Sequence, residues 1–288
     1  MAVVAVAGGT GGVGKTIVER LVQEAKFDVL VLSRSTPKQD ATPGPGRFVQ
    51  IDYNDITSMT KELERHNVHT IISALGLISD AASQSQLNLI DAAERSSVTK
   101  RFIPSEYSFI QTPDLLPIDP SIQWWLDAAE KLKASSLEYT RVIPGFFMDY
   151  WGMPNIKTNL SPYTFGIDIS SGSAAIPGDG SDWPEFSVIV GDQVTYNQIL
   201  AMAEEITGKK FKVSYDTLDQ IQAGEVTVPP MPRGIEYQED ELKETTALVS
   251  RLTVNGVFDL PKENRLNERF PNVQPITMRK LLEKAWRG

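Results

Sequence analysis

Residues 8–16 contain two overlapping phosphate-binding patterns, in the segment GGTGGVGKT. Counted from Gly9, the segment fits G-x-x-x-x-G-K-[ST], the P-loop of nucleoside triphosphatases. Counted from Gly8, it fits G-x-x-G-x-x-G, a variant of the dinucleotide-binding fingerprint. Both patterns hold phosphate on backbone N–H groups at the start of a helix. They predict different chemistry, because the first indicates triphosphate hydrolysis and the second indicates hydride transfer.

The second element of each pattern favours the dinucleotide. A P-loop protein needs an apolar strand that ends in an Asp near magnesium, and the only candidate, Asp52, follows a strand that Gln50 interrupts. A dinucleotide site needs a group that contacts the ribose about 20 residues after the glycines. Arg34, beside Ser35, stands at that distance from Gly14. A guanidinium matches the 2′-phosphate of NADP(H), whereas an acidic residue would match the hydroxyl of NAD. NADP(H) is therefore the predicted cofactor.

Strands and helices alternate over residues 2–145, beginning with the apolar run AVVAVA. This alternation predicts an α/β fold with a Rossmann-like, doubly wound parallel sheet. After residue 145 the composition changes to loops rich in Gly, Pro and aromatic residues. The pattern then predicts a strand over residues 186–190, a helix over 195–207 and a strand over 210–215. We expect two parts: an NADP(H)-binding domain over residues 1–150, and a smaller substrate-covering portion over 151–288.

The composition narrows the class of ligand. The chain has no cysteine, only two histidines and a net charge of −9. These counts argue against a metal site, a thiol nucleophile, nucleic acid and an anionic membrane surface. No apolar run approaches the roughly 18–20 residues of a membrane span. We therefore expect a cytoplasmic protein with a small-molecule substrate, and the oligomeric state stays open.

Several segments resemble one family. The glycine loop, RFIPSEYS from Arg101 and EYTRVIPGFF from Glu138 are its most specific parts, and the likeness extends over nearly the whole chain. They resemble the NmrA-like and isoflavone-reductase-like branch of the atypical short-chain dehydrogenases, in its fungal secondary-metabolism form. The resemblance implies a Rossmann-like NADP(H) domain and places a set of residues around the cofactor. Together with Arg34 and Ser35, which the spacing already indicates, the predicted cofactor residues are Gly8, Thr10, Gly11, Gly12, Val13, Gly14, Ala74, Leu75, Gly76, Pro104 and Ser105.

The sequence departs from the family where the proton donor should stand. None of the eight tyrosines has a lysine four residues later, as ordinary short-chain dehydrogenases require. The resembling reductases instead carry a helix lysine fifteen residues before the Thr of their Tyr–Thr pair, and that position here is Trp125. We expect Trp125 to form a substrate wall and its neighbour Trp124 to be a core residue. The candidates for proton transfer at strand ends are Ser105, Glu106, Tyr107, Asp149 and Tyr150. Of these, Glu106 and Tyr107, which follow the fifth predicted strand from Lys100 to Pro104, rank first as catalytic acid or base.

An aromatic patch follows the sixth predicted strand. Phe146, Phe147 and Trp151 stand beyond a carboxyl end, where such sheets bind ligands. A patch of this composition is more often core, but this position favours contact with the substrate. Aromatic faces such as those of Trp125 and Trp151 would stabilise a cation by ~0.5–2 kcal/mol.

Three functions are compatible with these residues. The first is NADPH-dependent reduction of a small aromatic or alkaloid-like metabolite, with an imine or iminium favoured because its reduction needs no enzymic acid. The second is an NADP(H)-dependent cyclisation or cycloaddition without net redox change. The third is a non-catalytic, NmrA-type regulator that senses NADP(H). The aromatic segment after residue 145 favours an enzyme.

Overall fold

The computed structural model describes residues 1–35, 46–177, 191–231, 238–258, 272 and 274–287. The predicted strand over residues 186–190 lies outside these ranges. The chain divides into two compact units, the first comprising Met1–Glu106 and Gln111–Val142, the second Tyr107–Ile110 and Ile143–Gly288. The predicted boundary at residue 150 stays a prediction. No helix in the described ranges has both the length and the apolar character needed to cross a membrane.

The first unit is built on a six-stranded parallel sheet. In chain order its strands are β1 (Ala2–Ala7), β2 (Phe27–Ser33), β3 (Arg47–Gln50), β4 (Val68–Ser73), β5 (Arg101–Ile103) and β6 (Glu138–Tyr139). Their spatial order is β3-β2-β1-β4-β5-β6, so the chain reverses direction across the sheet between β1 and β4. The crevice outside the carboxyl ends at such a reversal is the usual ligand site. The predicted Rossmann-like α/β fold is confirmed.

Helices cover both faces of this sheet. They are α1 (Gly12–Glu24), α2 (Ile56–Arg65), α3 (Asp80–Arg95) and α4 (Gln123–Lys133), with short 3-10 turns at Pro113–Leu115 and Pro120–Ile122. Successive side chains of a strand point to opposite faces. Ala5 therefore packs with residues of α2, α3 and α4, while Val6 packs with Val18 of α1.

Local signals set the ends of these elements. Asp55 caps α2 by accepting a hydrogen bond from the Ser58 N–H at 2.8 Å, as its position in the sequence predicts. Pro104 follows the last residue of β5. The sixth strand is much shorter than the predicted strand over residues 137–145. The ladder between β6 and β5 has two residue pairs, Glu138 with Arg101 and Tyr139 with Phe102, and beyond them the Thr140 N–H donates to the Phe102 carbonyl at 3.4 Å.

The second unit contains a three-stranded sheet and five described helices. The strands β7 (Ile167–Asp168), β8 (Ser173–Pro177) and β9 (Lys212–Asp216) lie in that order, with β7 antiparallel and β9 parallel to β8. The helices are α5 (Asp149–Gly152), α6 (Tyr196–Thr207), α7 (Leu218–Ala223), α8 (Glu239–Val254) and α9 (Met278–Trp286). Thr277 caps α9, since its hydroxyl accepts a hydrogen bond from the Lys280 N–H.

The loop between β1 and α1 is the most tightly constrained turn of the first unit. Gly8 has φ of +73°, and a Cβ atom on it would collide with the backbone carbonyl of Ala74. A Cβ on Gly14 would collide with the carbonyl of Gly8 itself. The two glycines therefore let β1, the end of β4 and the first turn of α1 approach each other at backbone distance.

This packing predicts different effects for two alanine substitutions in one loop. Gly14→Ala should cost about 1–3 kcal/mol of folding free energy, because the new Cβ overlaps backbone that cannot rotate away. Gly11→Ala should cost less than about 1 kcal/mol, since Gly11 has φ of −82° and its Cβ would stand 3.5 Å from its nearest neighbour, the Gly8 carbonyl oxygen. Thermal unfolding of both variants without cofactor checks this difference, and equal losses would contradict it.

Candidate functional site

The first turn of α1 presents backbone donors without a side-chain cap. Gly11 precedes it in an extended conformation, and its N–H donates to the Gly8 carbonyl at 3.0 Å. No side chain caps this helix, and its first turn contains no acidic residue. The orphan N–H groups and the positive end of the helix dipole are therefore available to an anion. Together with the close backbone approach at Gly8 and Gly14, this loop fits the pyrophosphate of a dinucleotide.

The P-loop alternative finds less support in the same turn. The Thr16 hydroxyl, which a P-loop would present to magnesium, donates to the Gly12 carbonyl at 2.9 Å. The Lys15 ammonium lies 3.9 Å from the Glu19 carboxylate on the helix surface. Asp52 accepts a hydrogen bond from the Asn54 N–H within a turn. These side chains have local structural partners.

Arg34 lies one residue beyond the end of β2. Its carbonyl accepts a hydrogen bond from the Gln50 side-chain amide at 3.1 Å, which fixes the backbone at the edge of the sheet. Its side chain is exposed, and its guanidinium makes no hydrogen bond or ion pair within the described ranges. Ser35, also exposed, donates its N–H to the Ser33 hydroxyl. The guanidinium is thus free to meet a phosphate.

The ends of β4 and β5 are tied together through Ser105. Its hydroxyl donates to the Leu75 carbonyl at 2.8 Å, and its N–H donates to the Gln86 side-chain oxygen at 2.9 Å. Ala74 in turn donates its N–H to the Ala7 carbonyl at 2.8 Å. Gly76 is exposed, with no atom near a Cβ built on it. The predicted residues after β1, β4 and β5 therefore gather at one edge of the first unit, with open space beside Gly76.

Trp125 reaches the same edge from α4. Its indole N–H donates to the Ser105 carbonyl at 2.9 Å, and its ring is half-buried. The Trp124 ring lies next to it, with ring centroids 6.2 Å apart, and donates its indole N–H to the Asp80 carboxylate at 2.7 Å. The expectation that Trp124 is a core residue is wrong, because its ring is also half-buried. A ring beside the end of β5 is compatible with a substrate wall, and that role of Trp125 stays a prediction.

The carboxylate of Glu106 has a dedicated partner. Its side chain is 2% exposed and forms a two-pronged ion pair with the Arg141 guanidinium. Burial raises the pKa of the Glu106 carboxyl above its ordinary value, and Arg141 opposes that shift. Arg141 is itself 29% exposed. This geometry fastens the loop after β5 to the chain that follows β6, so Glu106 has a clear structural role.

Tyr107 follows directly and begins the short segment Tyr107–Ile110, which belongs to the second unit. Its side chain is half-buried. Burial raises the pKa of the Tyr107 phenol well above its ordinary value. The phenol therefore holds its proton throughout the physiological range and releases it less readily than an ordinary tyrosine. The catalytic assignments of Glu106 and Tyr107 stay predictions.

The aromatic residues after β6 line a cavity of about 260 Å³ within the second unit. Phe146 and Phe147 are half-buried, whereas Trp151 is 3% exposed and donates its indole N–H to the Phe165 carbonyl. The Phe146 ring centroid lies 5.9 Å from that of Trp151 and 4.2 Å from that of Phe258. The predicted substrate residues of this unit therefore share one cavity wall.

Sequence reasoning missed Gln86 and Arg141. Gln86 is 1% exposed on α3, between apolar neighbours of the core, and its side-chain N–H₂ has no acceptor among the described residues. A polar residue on the apolar stripe of a helix was the available signal for it. Arg141 gave no local signal, because its partner is 35 residues earlier in the chain.

Comparisons with known proteins agree with this geometry. Residues 8–165 match the NAD(P)H-binding family. The oxidoreductase swnN of Metarhizium robertsii is 31% identical, with 99% of this chain and 98% of that protein covered. The oxidoreductase BOA1 of Botryotinia fuckeliana is 35% identical over 72% of this chain and 77% of its own.

Solved structures show the same fold at lower identity. A crystal structure from work on pinoresinol–lariciresinol and phenylcoumaran benzylic ether reductases, and their relationship to isoflavone reductases, superposes with a TM-score of 0.73. It is 18% identical and covers 99% of each chain. The predicted family and the nicotinamide cofactor are confirmed. The chain is an oxidoreductase-like enzyme that belongs to the NAD(P)H-binding, NmrA-like and isoflavone-reductase-like family.

Proposed function

We propose that this protein is an NADPH-dependent reductase of a small aromatic or alkaloid-like metabolite whose acceptor is an iminium carbon, the cationic form of an imine. The observation that carries the proposal is the state of the groups at the end of β5. The Ser105 hydroxyl donates to a carbonyl, Glu106 is bound by Arg141, and Trp125 takes the lysine position with its N–H bonded to Ser105. These three side chains are engaged in hydrogen bonds or an ion pair, whereas the first-turn N–H groups of α1 have no side-chain cap and Arg34 has no side-chain partner among the described residues.

The cofactor residues divide by the part of the dinucleotide that each would hold. The glycine loop and the first turn of α1 would bind the pyrophosphate, and Arg34 with Ser35 would bind the 2′-phosphate. Residues 74–76 would pass along the central part of the cofactor, and Pro104 with Ser105 would lie near the nicotinamide ribose. When bound, NADPH supplies a hydride from the C4 carbon of its nicotinamide ring.

Proton balance then selects the acceptor. Hydride addition to a ketone leaves an alkoxide, which needs a proton from a positioned acid. Hydride addition to an iminium carbon gives a neutral amine, so the electrons and the charge balance without a proton. The Glu106 carboxylate is engaged by Arg141, and burial makes Tyr107 release its proton less readily than an ordinary tyrosine. An iminium is therefore the acceptor that these residues suit best.

The Arg34 assignment predicts the choice of cofactor. The protein should bind NADPH at least about tenfold more tightly than NADH, since a charge-assisted bond to phosphate contributes about 1.5–3 kcal/mol. Arg34→Ala should abolish most of that preference. Lys26→Ala is the matched control, because it removes an exposed cation next to the opposite end of β2. Fluorescence titration with both cofactors measures the ratio, and equal affinity in the parent protein would refute the assignment.

If Trp125 forms a wall of the substrate site, its removal should lower kcat/KM for the substrate and leave cofactor binding unchanged. We expect Trp125→Ala to lower kcat/KM for N-methyl-3,4-dihydroisoquinolinium by roughly 2- to 30-fold, which corresponds to one cation–π contact. The dissociation constant for NADPH should stay within about twofold of the parent value. Trp124→Ala is the matched control, because its indole contacts Asp80 instead. A large drop in melting temperature with no change in kcat/KM would assign Trp125 to structure alone.

The proton balance predicts weak effects at the two candidate acids. Glu106→Gln and Tyr107→Phe should each lower the single-turnover rate on the same iminium by less than about tenfold, against about 10²–10⁴-fold for a true general acid. The parent enzyme should reduce the iminium faster than 1-tetralone, a ketone of matching shape. The assay follows deuterium from C4-labelled NADPH into the product by mass spectrometry.

Two outcomes would change the proposal. A hundredfold loss in either variant, with folding and cofactor binding intact, would make that residue the acid and remove the argument for an iminium. Full conversion of a natural substrate to a cyclised product without net consumption of NADPH would favour the redox-neutral alternative, in which the missing lysine is equally tolerated.

A further inference from the structure

The cavity of the second unit has an unusual charge pattern for an apolar site. Its wall is mostly aromatic and aliphatic, yet it contains two carboxylates, Asp149 and Asp192, and among its described lining residues there is no Lys, Arg or His. At about 260 Å³, it is slightly smaller than the roughly 300–1,000 Å³ typical of small-molecule sites. Its ligand should therefore be small and should carry no negative charge.

The two carboxylates differ in what they bind. Both oxygens of Asp192 are used, because one accepts the Met278 N–H at the start of α9 and the other accepts the Gln193 N–H, each at 3.0 Å. Asp192 is thus a structural cap. Asp149 is half-buried at the start of α5, and its carboxylate has no hydrogen bond or ion pair with any residue in the described part of the chain. A half-buried carboxylate that lines a cavity can attract a cation bound there.

Aromatic rings stand beside that charge in the same wall. Phe146 and Phe147 precede Asp149 by three and two residues, and Trp151 follows it by two. Phe146 also packs against Phe258, which lines the cavity as well. Ring faces attract an organic cation through their quadrupole, whereas a simple metal ion would lack the oxygen ligands it needs here.

We infer that this cavity binds a small organic cation, an iminium or ammonium, and that Asp149 is the residue that selects for its positive charge. The inference deepens the proposed function and rests on it for the identity of the ligand as a substrate. The site itself depends only on the second unit, because every residue that defines it lies there. Asp149 is accordingly a specificity-determining residue with no role in hydride transfer.

Binding of two isosteric probes to the full chain without NADPH tests this inference. N-methylquinolinium is a permanent cation, and 1-methylnaphthalene has the same shape without the charge. Equilibrium dialysis should give at least about tenfold tighter binding of the cation, which corresponds to about 1.4 kcal/mol. Asp149→Asn should reduce the ratio of the two affinities to within about threefold of one, while the neutral probe binds as before. Asp149→Glu should retain a preference for the cation.

The protein has a net charge of −9, so any cation is attracted to it to some extent. A second carboxylate variant distinguishes this general attraction from the local attraction by Asp149. Asp219→Asn removes one exposed charge on α7, outside the cavity wall, and should leave the ratio unchanged. Equal affinity for both probes in the parent protein would overturn the inference, as would a preference that survives in Asp149→Asn or falls equally in Asp219→Asn.

The same probes distinguish this inference from the proposed function. If the cation preference depends on Asp149 but no iminium accepts deuteride, the cation site stands and the reductase proposal fails. If an iminium is reduced while the Asp149→Asn ratio equals that of the parent, the reductase proposal stands and the cation site is wrong. Circular dichroism of each variant excludes unfolding as the cause of a lost preference.

Discussion

The backbone contact at Gly8 is the constraint on which the cofactor edge depends. The Gly8 carbonyl lies against Gly14 in the first turn of α1. The Cα atom of Gly8 lies so close to the carbonyl of Ala74, after β4, that a Cβ atom would overlap it. No side chain fits between these three segments. Because β1 and β4 are the neighbours across which the sheet order reverses, this contact fixes the crevice in which sheets of this kind bind their ligands. The uncapped N–H groups of α1 face the same crevice as a consequence of that approach.

A second constraint acts at Ser105 and determines which chemistry remains available. Three polar atoms of one residue bond to α3, to the loop after β4 and to Trp125. The next residue, Glu106, is held by Arg141. These bonds fix the loop after β5 and engage Ser105 and Glu106 in structural contacts. The proposed reaction therefore relies on an acceptor that needs no proton from either residue.

Local patterns in the sequence were sufficient for the sheet, the glycine loop and the distance to Arg34, because apolar runs and turn residues act over a few positions. They were not sufficient for contacts between distant segments. The Glu106–Arg141 pair joins residues that only the β5–β6 pairing brings together, and the bond from Trp125 to Ser105 depends on how α4 packs. The sixth strand was overestimated because its β-rich sequence continues to Pro144, although its ladder with β5 contains only Glu138 and Tyr139.

A cationic substrate would suit features of both units. In the first unit, Ser105 and Glu106 are engaged in other bonds, which favours an acceptor whose reduction needs no enzymic proton. In the second unit, the Asp149 carboxylate has no partner among the described residues and lines a cavity with aromatic side chains, which favours binding of a positive charge. An iminium would suit both, because its charge would attract the carboxylate before hydride transfer and disappear during it. The neutral amine product would then bind Asp149 less strongly than the substrate does, so one charge would favour both substrate capture and product release.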